Sequence, residues 1–202
     1  MATGDRPARI ATADLARLPE FSDARLSPDG MNILFRLRSG GVERVAYRAV
    51  KGEKISGFAI PERVDLNWSR WAGNGHILVS IGRTTMFLDQ EVYKSALLLH
   101  DVTSGVTTAI SREGQGLEGD DVLFIDPDGR YLLLSIQRSV YDYPSVFHVP
   151  LPDGKMSEIV RQRQPIWEWY ADDAGIVRAG IGWENRKIRY YYRKTAAEDF
   201  RL

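Results

Sequence analysis

Three histidines, His76, His100 and His148, are the only imidazoles in this 202-residue chain. A serine-dependent acyl transfer needs one of them beside a nucleophile and an orienting acid. The serine elbow of an α/β-type hydrolase is written G-x-S-x-G, and no such segment occurs. All three histidines fall on or beside expected strands without a recurring serine or acid partner, so they are read as structural and no catalytic residue is assigned. Metal chemistry finds no footing either, because there is no H-E-x-x-H, no H-x-H and no cysteine. Asp126-Pro127-Asp128-Gly129 lacks the downstream ligands of a calcium loop and reads as a turn. Ser39-Gly40-Gly41 and Gly114-Gln115-Gly116 have no following Lys-Ser or Lys-Thr and read as loops rather than phosphate cradles. No cofactor and no metal is expected. Substrate-contacting residues stay unassigned, with the proline-bearing connections Tyr141-Asp142-Tyr143-Pro144 and residues 162–165 as the candidates, since binding residues concentrate in loops.

Charge narrows the partners. Lys plus Arg equals Asp plus Glu at 27 each, and no basic tract appears, which removes the electrostatic case for nucleic acid or an anionic membrane surface. No apolar run approaches the roughly 20 residues that span a bilayer. The first twenty residues, with Asp5, Arg6, Arg9, Asp14 and Arg17, carry no apolar stretch of signal-peptide length. Hydrophobic residues make up 44%, with five Trp and nine Tyr, so the chain can bury a core.

The elements that would hold any site repeat four times. Each copy has a short apolar strand, a turn closed by glycine, and a second strand. Ala24-Arg25-Leu26-Ser27 precedes Pro28-Asp29-Gly30, and Trp68-Ser69-Arg70-Trp71 precedes Gly73-Asn74-Gly75. Val122-Leu123-Phe124-Ile125 precedes Asp126-Pro127-Asp128-Gly129, and Trp167-Glu168-Trp169-Tyr170 precedes Asp172-Asp173-Ala174-Gly175. The closing glycines Gly30, Gly75, Gly129 and Gly175 are spaced by 45, 54 and 46 residues. Proline presets φ in such a turn and glycine takes the positive φ that closes it. The following strands, such as 77–81 and 131–136, are near-continuous apolar runs, which implies burial on both faces. A second hairpin turns at Lys51-Gly52, at Ser104-Gly105 and at Pro152-Asp153-Gly154, and residues 187–193 open the last one. The period and the four strands per copy match β-propeller blades, whose repeats run roughly 40 to 50 residues. The expectation is therefore an all-β chain of about four four-stranded antiparallel blades over residues 21–202, preceded by an arm at residues 1–20. Within that arm a short helix is expected over residues 12–18, from the N-cap type Thr12 to the breaker Pro19. The aromatic clusters Trp167-Glu168-Trp169-Tyr170 and Tyr190-Tyr191-Tyr192 are read as blade core.

Residues 18–30, L-P-E-F-S-D-A-R-L-S-P-D-G, resemble the propeller entry of bacterial serine peptidases of the prolyl oligopeptidase family, of the dipeptidyl or acylaminoacyl peptidase kind. Trp68-Ser69-Arg70-Trp71 with residues 75–80 resembles the next blade. Residues 172–180 followed by Arg186 and Tyr190 resemble a later one, so the likeness runs over residues 15–202. It implies a seven- or eight-bladed propeller followed by an α/β-hydrolase domain carrying Ser, Asp and His. That domain maps beyond Leu202, so none of its catalytic residues is carried over. The same S-P-D-G hairpin also occurs in periplasmic translocation-associated propellers. Two functions stay open: a non-catalytic propeller module that guides peptides to a hydrolase domain, or a stand-alone propeller that binds a protein or peptide. The expected partners are accordingly that C-terminal hydrolase domain or a second copy of this chain, together with a peptide substrate. Some members of the family bind a substrate's amino terminus with paired acids on the propeller. Glu118, Asp120, Asp121, Glu168 and Glu184 do not show that motif and are read as solvated charge. The compartment is open, periplasmic if a leader precedes the sequence and cytoplasmic otherwise.

Overall fold

A computed structural model describes residues 19–110, 116–151 and 153–202. The described residues are all-β, in fifteen strands and without a helix. The expected helix at residues 12–18 lies outside the described residues. The first sheet orders β1 (Phe21–Leu26), β2 (Asn32–Ser39), β3 (Val42–Ala49) and β4 (Ser56–Ala59) as neighbours, and the second orders β5 (Asp65–Ala72), β6 (His76–Phe87), β7 (Gln90–Asp101) and β8 (Thr107–Ala109). In the third sheet, β9 (Asp121–Ile125), β10 (Tyr131–Ile136), β11 (Ser145–Pro150) and β12 (Ser157–Val160) follow the same meander. The fourth has three strands, β13 (Ile166–Ala171), β14 (Val177–Glu184) and β15 (Lys187–Tyr192), not the four expected for each copy. In the place of its fourth strand stands a single antiparallel bridge, with Tyr192 and Arg201 exchanging backbone hydrogen bonds of 2.8 and 2.9 Å.

Three apolar clusters join the sheets in chain order. Leu34, Val45 and Tyr47 of the first sheet pack on Leu66, Trp71, Ile77 and Val79 of the second. Leu78, Leu97 and Leu99 meet Leu132, Leu134 and Phe147, and Leu133, Val146 and Val160 meet Ile166, Trp169 and Val177. Consecutive residues of the central strands therefore serve opposite seams. Ile77, Leu78 and Val79 are fully buried, as are Leu132 and Leu134, which is why those runs show no polar alternation. Four antiparallel meanders stacked face on face in sequence order is the arrangement of adjacent propeller blades.

The repeated turns do more than reverse the chain. The amides of Gly30, Gly129 and Gly175 donate to Ser27, Asp126 and Asp172 at 2.8 to 2.9 Å, with φ near +70° in each glycine. In the second copy the positive φ falls on Gly73 rather than on Gly75. The shift lets two turns touch: a Cβ on Gly129 would lie 2.5 Å from the Ala72 carbonyl oxygen, and one on Gly73 would lie 2.8 Å from that of Asp128. The Asp29 amide donates to the Asn74 side chain at 3.1 Å, linking the first turn to the second.

Candidate functional site

The three histidines have separate partners. His100, 2% exposed, sits in the first seam with Nδ1 2.9 Å from the Thr107 hydroxyl and Nε2 3.1 Å from that of Tyr47, and burial lowers its pKa. His76 faces Asp101 at 3.6 Å, and His148 stacks on Tyr131 with ring centroids 4.5 Å apart. The Asp126 carboxylate holds its own turn, taking a two-pronged contact from Arg130 at 2.8 Å that pulls its pKa down to about 2.

Chemistry gathers instead at the end of the sheets opposite these turns, where β9 and β13 begin. Asp120 and Asp121 stand at the start of β9 and part to the two faces of the third sheet, Asp120 toward the second sheet and Asp121 toward the fourth. The hydroxyls of Ser80 (at 2.5 Å) and Ser95 donate to the Asp120 carboxylate, and Ser95 also accepts from the Gly119 amide at 3.1 Å. Asn67 donates to Ser80 at 3.0 Å, and Tyr93 donates to Asn67 at 2.6 Å. Asp120 thus fastens the connection before β9 onto the second sheet. Asp121 turns toward Ser135 of the third. Protein crowding around this solvent-reachable carboxyl, only partly offset by the Ser135 hydrogen bond, pushes its pKa up to about 6, and the charges of Glu118, Asp120 and Glu168 push the same way.

Asp121 lines a cavity of about 260 Å³ with Glu118, Ser135, Gln137, Pro144 and Trp167. The two proline-bearing connections meet at its rim. The Tyr143 amide donates to the Gln162 side chain at 3.0 Å, the Gln162 amide donates to Ser145 at 2.9 Å, and the Tyr143 ring lies 4.7 Å from that of Trp167. Gln137 donates to the Asp142 carbonyl at 2.7 Å, which fixes one wall. Glu168, beside Trp167 on β13, accepts from Tyr170 at 2.6 Å, whereas Glu184 does not line the cavity and pairs with Arg189 at 3.3 Å. Solvated charge therefore does not describe Asp120, whereas Asp121 is exposed, as expected, with its carboxyl crowded on one side. The overlooked signal was serine: Ser80 and Ser135 occupy like places in the apolar runs of β6 and β10, are 0% and 2% exposed, and each takes one acid of the Asp120-Asp121 pair.

No protein-family model and no curated protein sequence matches the chain. Among solved structures, TolB from Acinetobacter baumannii is similar over 89% of this chain and 42% of its own, at 10% identity and a TM-score of 0.48. An acylaminoacyl peptidase in complex with Z-Gly-Gly-Phe-chloromethyl ketone is similar over 91% of this chain and 30% of its own, at 14% identity and a TM-score of 0.49. Oligopeptidase B from Trypanosoma brucei with covalently bound antipain gives 90% and 27%, at 16% identity and a TM-score of 0.43. The chain spans less than half the length of each, and at these levels none of them assigns it an activity.

Proposed function

We propose that this chain is the non-catalytic propeller module of a prolyl oligopeptidase-like serine peptidase, receiving the amino-terminal end of a peptide and guiding it to a hydrolase domain outside the chain. The peptidase half of this reading rests on the resemblance of residues 18–30, of 68–71 with 75–80, and of 172–180 with Arg186 and Tyr190. The peptide half rests on one observation, a recess of about 260 Å³ whose lining includes Asp121, Glu118 and Trp167. Two carboxylates attract an ammonium group, and an exposed indole face adds about 0.5–2 kcal/mol of cation–π attraction while taking the first side chain.

Titration calorimetry with one peptide in free and N-acetylated forms tests this. The free amine is expected to bind at least tenfold tighter, more strongly at pH 7.5 than at pH 5, where Asp121 becomes protonated. Asp121→Asn is expected to erase both differences. Equal affinity for the two peptides, or no binding of either, overturns the reading. The stand-alone binding module predicts the same calorimetry but a different native product: the protein isolated from its source would then fail to react with a fluorophosphonate probe.

A further inference from the structure

We infer, on the amine-binding reading above, that Asp120 is the positioning residue of the recess. From outside the lining it holds Glu118 and Asp121 where a peptide's ammonium group needs them, so the second sheet sets the selectivity of a site that the third and fourth sheets line. Residues 117–121 give the recess three of its lining residues, Leu117, Glu118 and Asp121. The two that do not line it, Gly119 and Asp120, are tied down by side chains of the second sheet. The Gly119 amide donates to the Ser95 hydroxyl at 3.1 Å, and the Asp120 carboxylate takes the hydroxyls of Ser80, at 2.5 Å, and of Ser95. The Val122 amide then donates to the Asp120 carbonyl at 2.9 Å, a three-residue turn with Asp121 at its apex. Each acid of the recess is thus the chain neighbour of an anchored residue: Glu118 precedes Gly119, and Asp121 follows Asp120.

The directions of the hydrogen bonds converge on Asp120. A serine hydroxyl has one proton to give. Ser80 accepts from the Asn67 side chain at 3.0 Å and Ser95 accepts from Gly119, and both give their proton to Asp120. Two such bonds to an ionised carboxylate are stronger than neutral ones. Asn67 is itself fixed, because the Tyr93 hydroxyl donates to its side-chain oxygen at 2.6 Å, and Tyr93 lies across Gly82, where a Cβ would strike that hydroxyl. Asn67, Ser80, Tyr93 and Ser95 belong to β5, β6 and β7, and none of them lines the recess. The Leu117 carbonyl, by contrast, takes the backbone amide of Ser95 at 2.9 Å. Removing the Ser95 side chain therefore loosens the acids and leaves the apolar end of the segment attached.

Titration calorimetry at pH 7.5 with free and N-acetylated trialanine amide tests this on the wild-type chain and on two variants that keep every carboxylate. Wild type is expected to favour the free amine at least about tenfold. Ser95→Ala is expected to cut that preference to about threefold or less, while affinity for the acetylated peptide stays within about twofold of wild type. Ser80→Ala, which leaves the Gly119 bond in place, is expected to lose less of it, and this variant decides the question if Ser95→Ala fails to fold by circular dichroism. A folded Ser95→Ala protein that keeps the full preference overturns the inference and leaves the amine-binding reading standing, and in its place so does Ser80→Ala. Loss of both affinities by one factor overturns it as well, because the serines would then support the whole recess and not its acids. A wild type that shows no preference removes the reading and the inference with it.

Discussion

Asp121 and His100 carry opposite pH signatures, and both follow from position. Asp121 has a folded pKa near 6, above the ordinary carboxyl value of about 3.9, so the native state holds its proton longer than the unfolded chain. Its contribution is complete below about pH 4 and is lost as pH rises through 6. Asp121→Asn is accordingly expected to raise the melting temperature at pH 7.5 and to leave it unchanged at pH 3.5, as thermal scans of both proteins would show. His100 runs the other way, because burial depresses its pKa below the usual 6.5. Its neutral form contributes stability above about pH 6.5 that is lost as pH falls. His100→Leu should remove that acid-side slope and cost about 1–3 kcal/mol at pH 7.5, since the Thr107 hydroxyl loses a buried partner. Urea titrations at both pH values measure the two effects.

Among the elements, the turns separate two uses of glycine that look alike in sequence. Gly30 and Gly129 have φ of +69° and +70°, but a Cβ on Gly30 would meet open space and one on Gly129 would strike the Ala72 carbonyl. Gly30→Ala is expected to cost about 1–2 kcal/mol, the penalty of left-handed backbone for an L-residue. Gly129→Ala adds overpacking between sheets and should cost at least about 1–3 kcal/mol more by urea denaturation. Equal losses would mean that the two turns do not bear on each other. The β6–β7 hairpin shows how an element outran its sequence signal. Its apolar core, residues 77–81, was legible as a strand, but pairing continues to Phe87 and Gln90. The tip falls on Leu88 and Asp89 with φ of +48° and +60°, lacking the Asn-Gly or Asp-Gly that marks such turns.

For the whole molecule, the last seam decides whether the fourth sheet stays attached. Trp169 is 2% exposed and donates to the Pro144 carbonyl at 2.8 Å, whereas Trp167, two residues away, is 45% exposed. Trp169→Ala should cost about 3–5 kcal/mol and expose the amides of β13–β15 to rapid hydrogen exchange before the rest unfolds. Trp167→Ala should stay within about 1 kcal/mol and change only the recess.

Turn chemistry and strand period were local properties, so the sequence alone determined the all-β class, the four repeats, the hairpin turns and the doubly buried central strands. Residues 12–18 lie outside the described residues, and the fourth copy's missing strand was invisible because its third strand, Lys187–Tyr192, reads as an ordinary β-run whether or not a neighbour follows. The aromatic clusters illustrate the boundary. The sequence reading puts both clusters in the blade core, whereas the structure packs Trp169 and Tyr191 against the third sheet and leaves Tyr170 and Tyr190 46% and 63% exposed. The recess is further still from local signals. Asp121, Gln137, Pro144 and Trp167 belong to separate segments, and the pKa of Asp121 depends on neighbours that only sheet-on-sheet packing brings within reach.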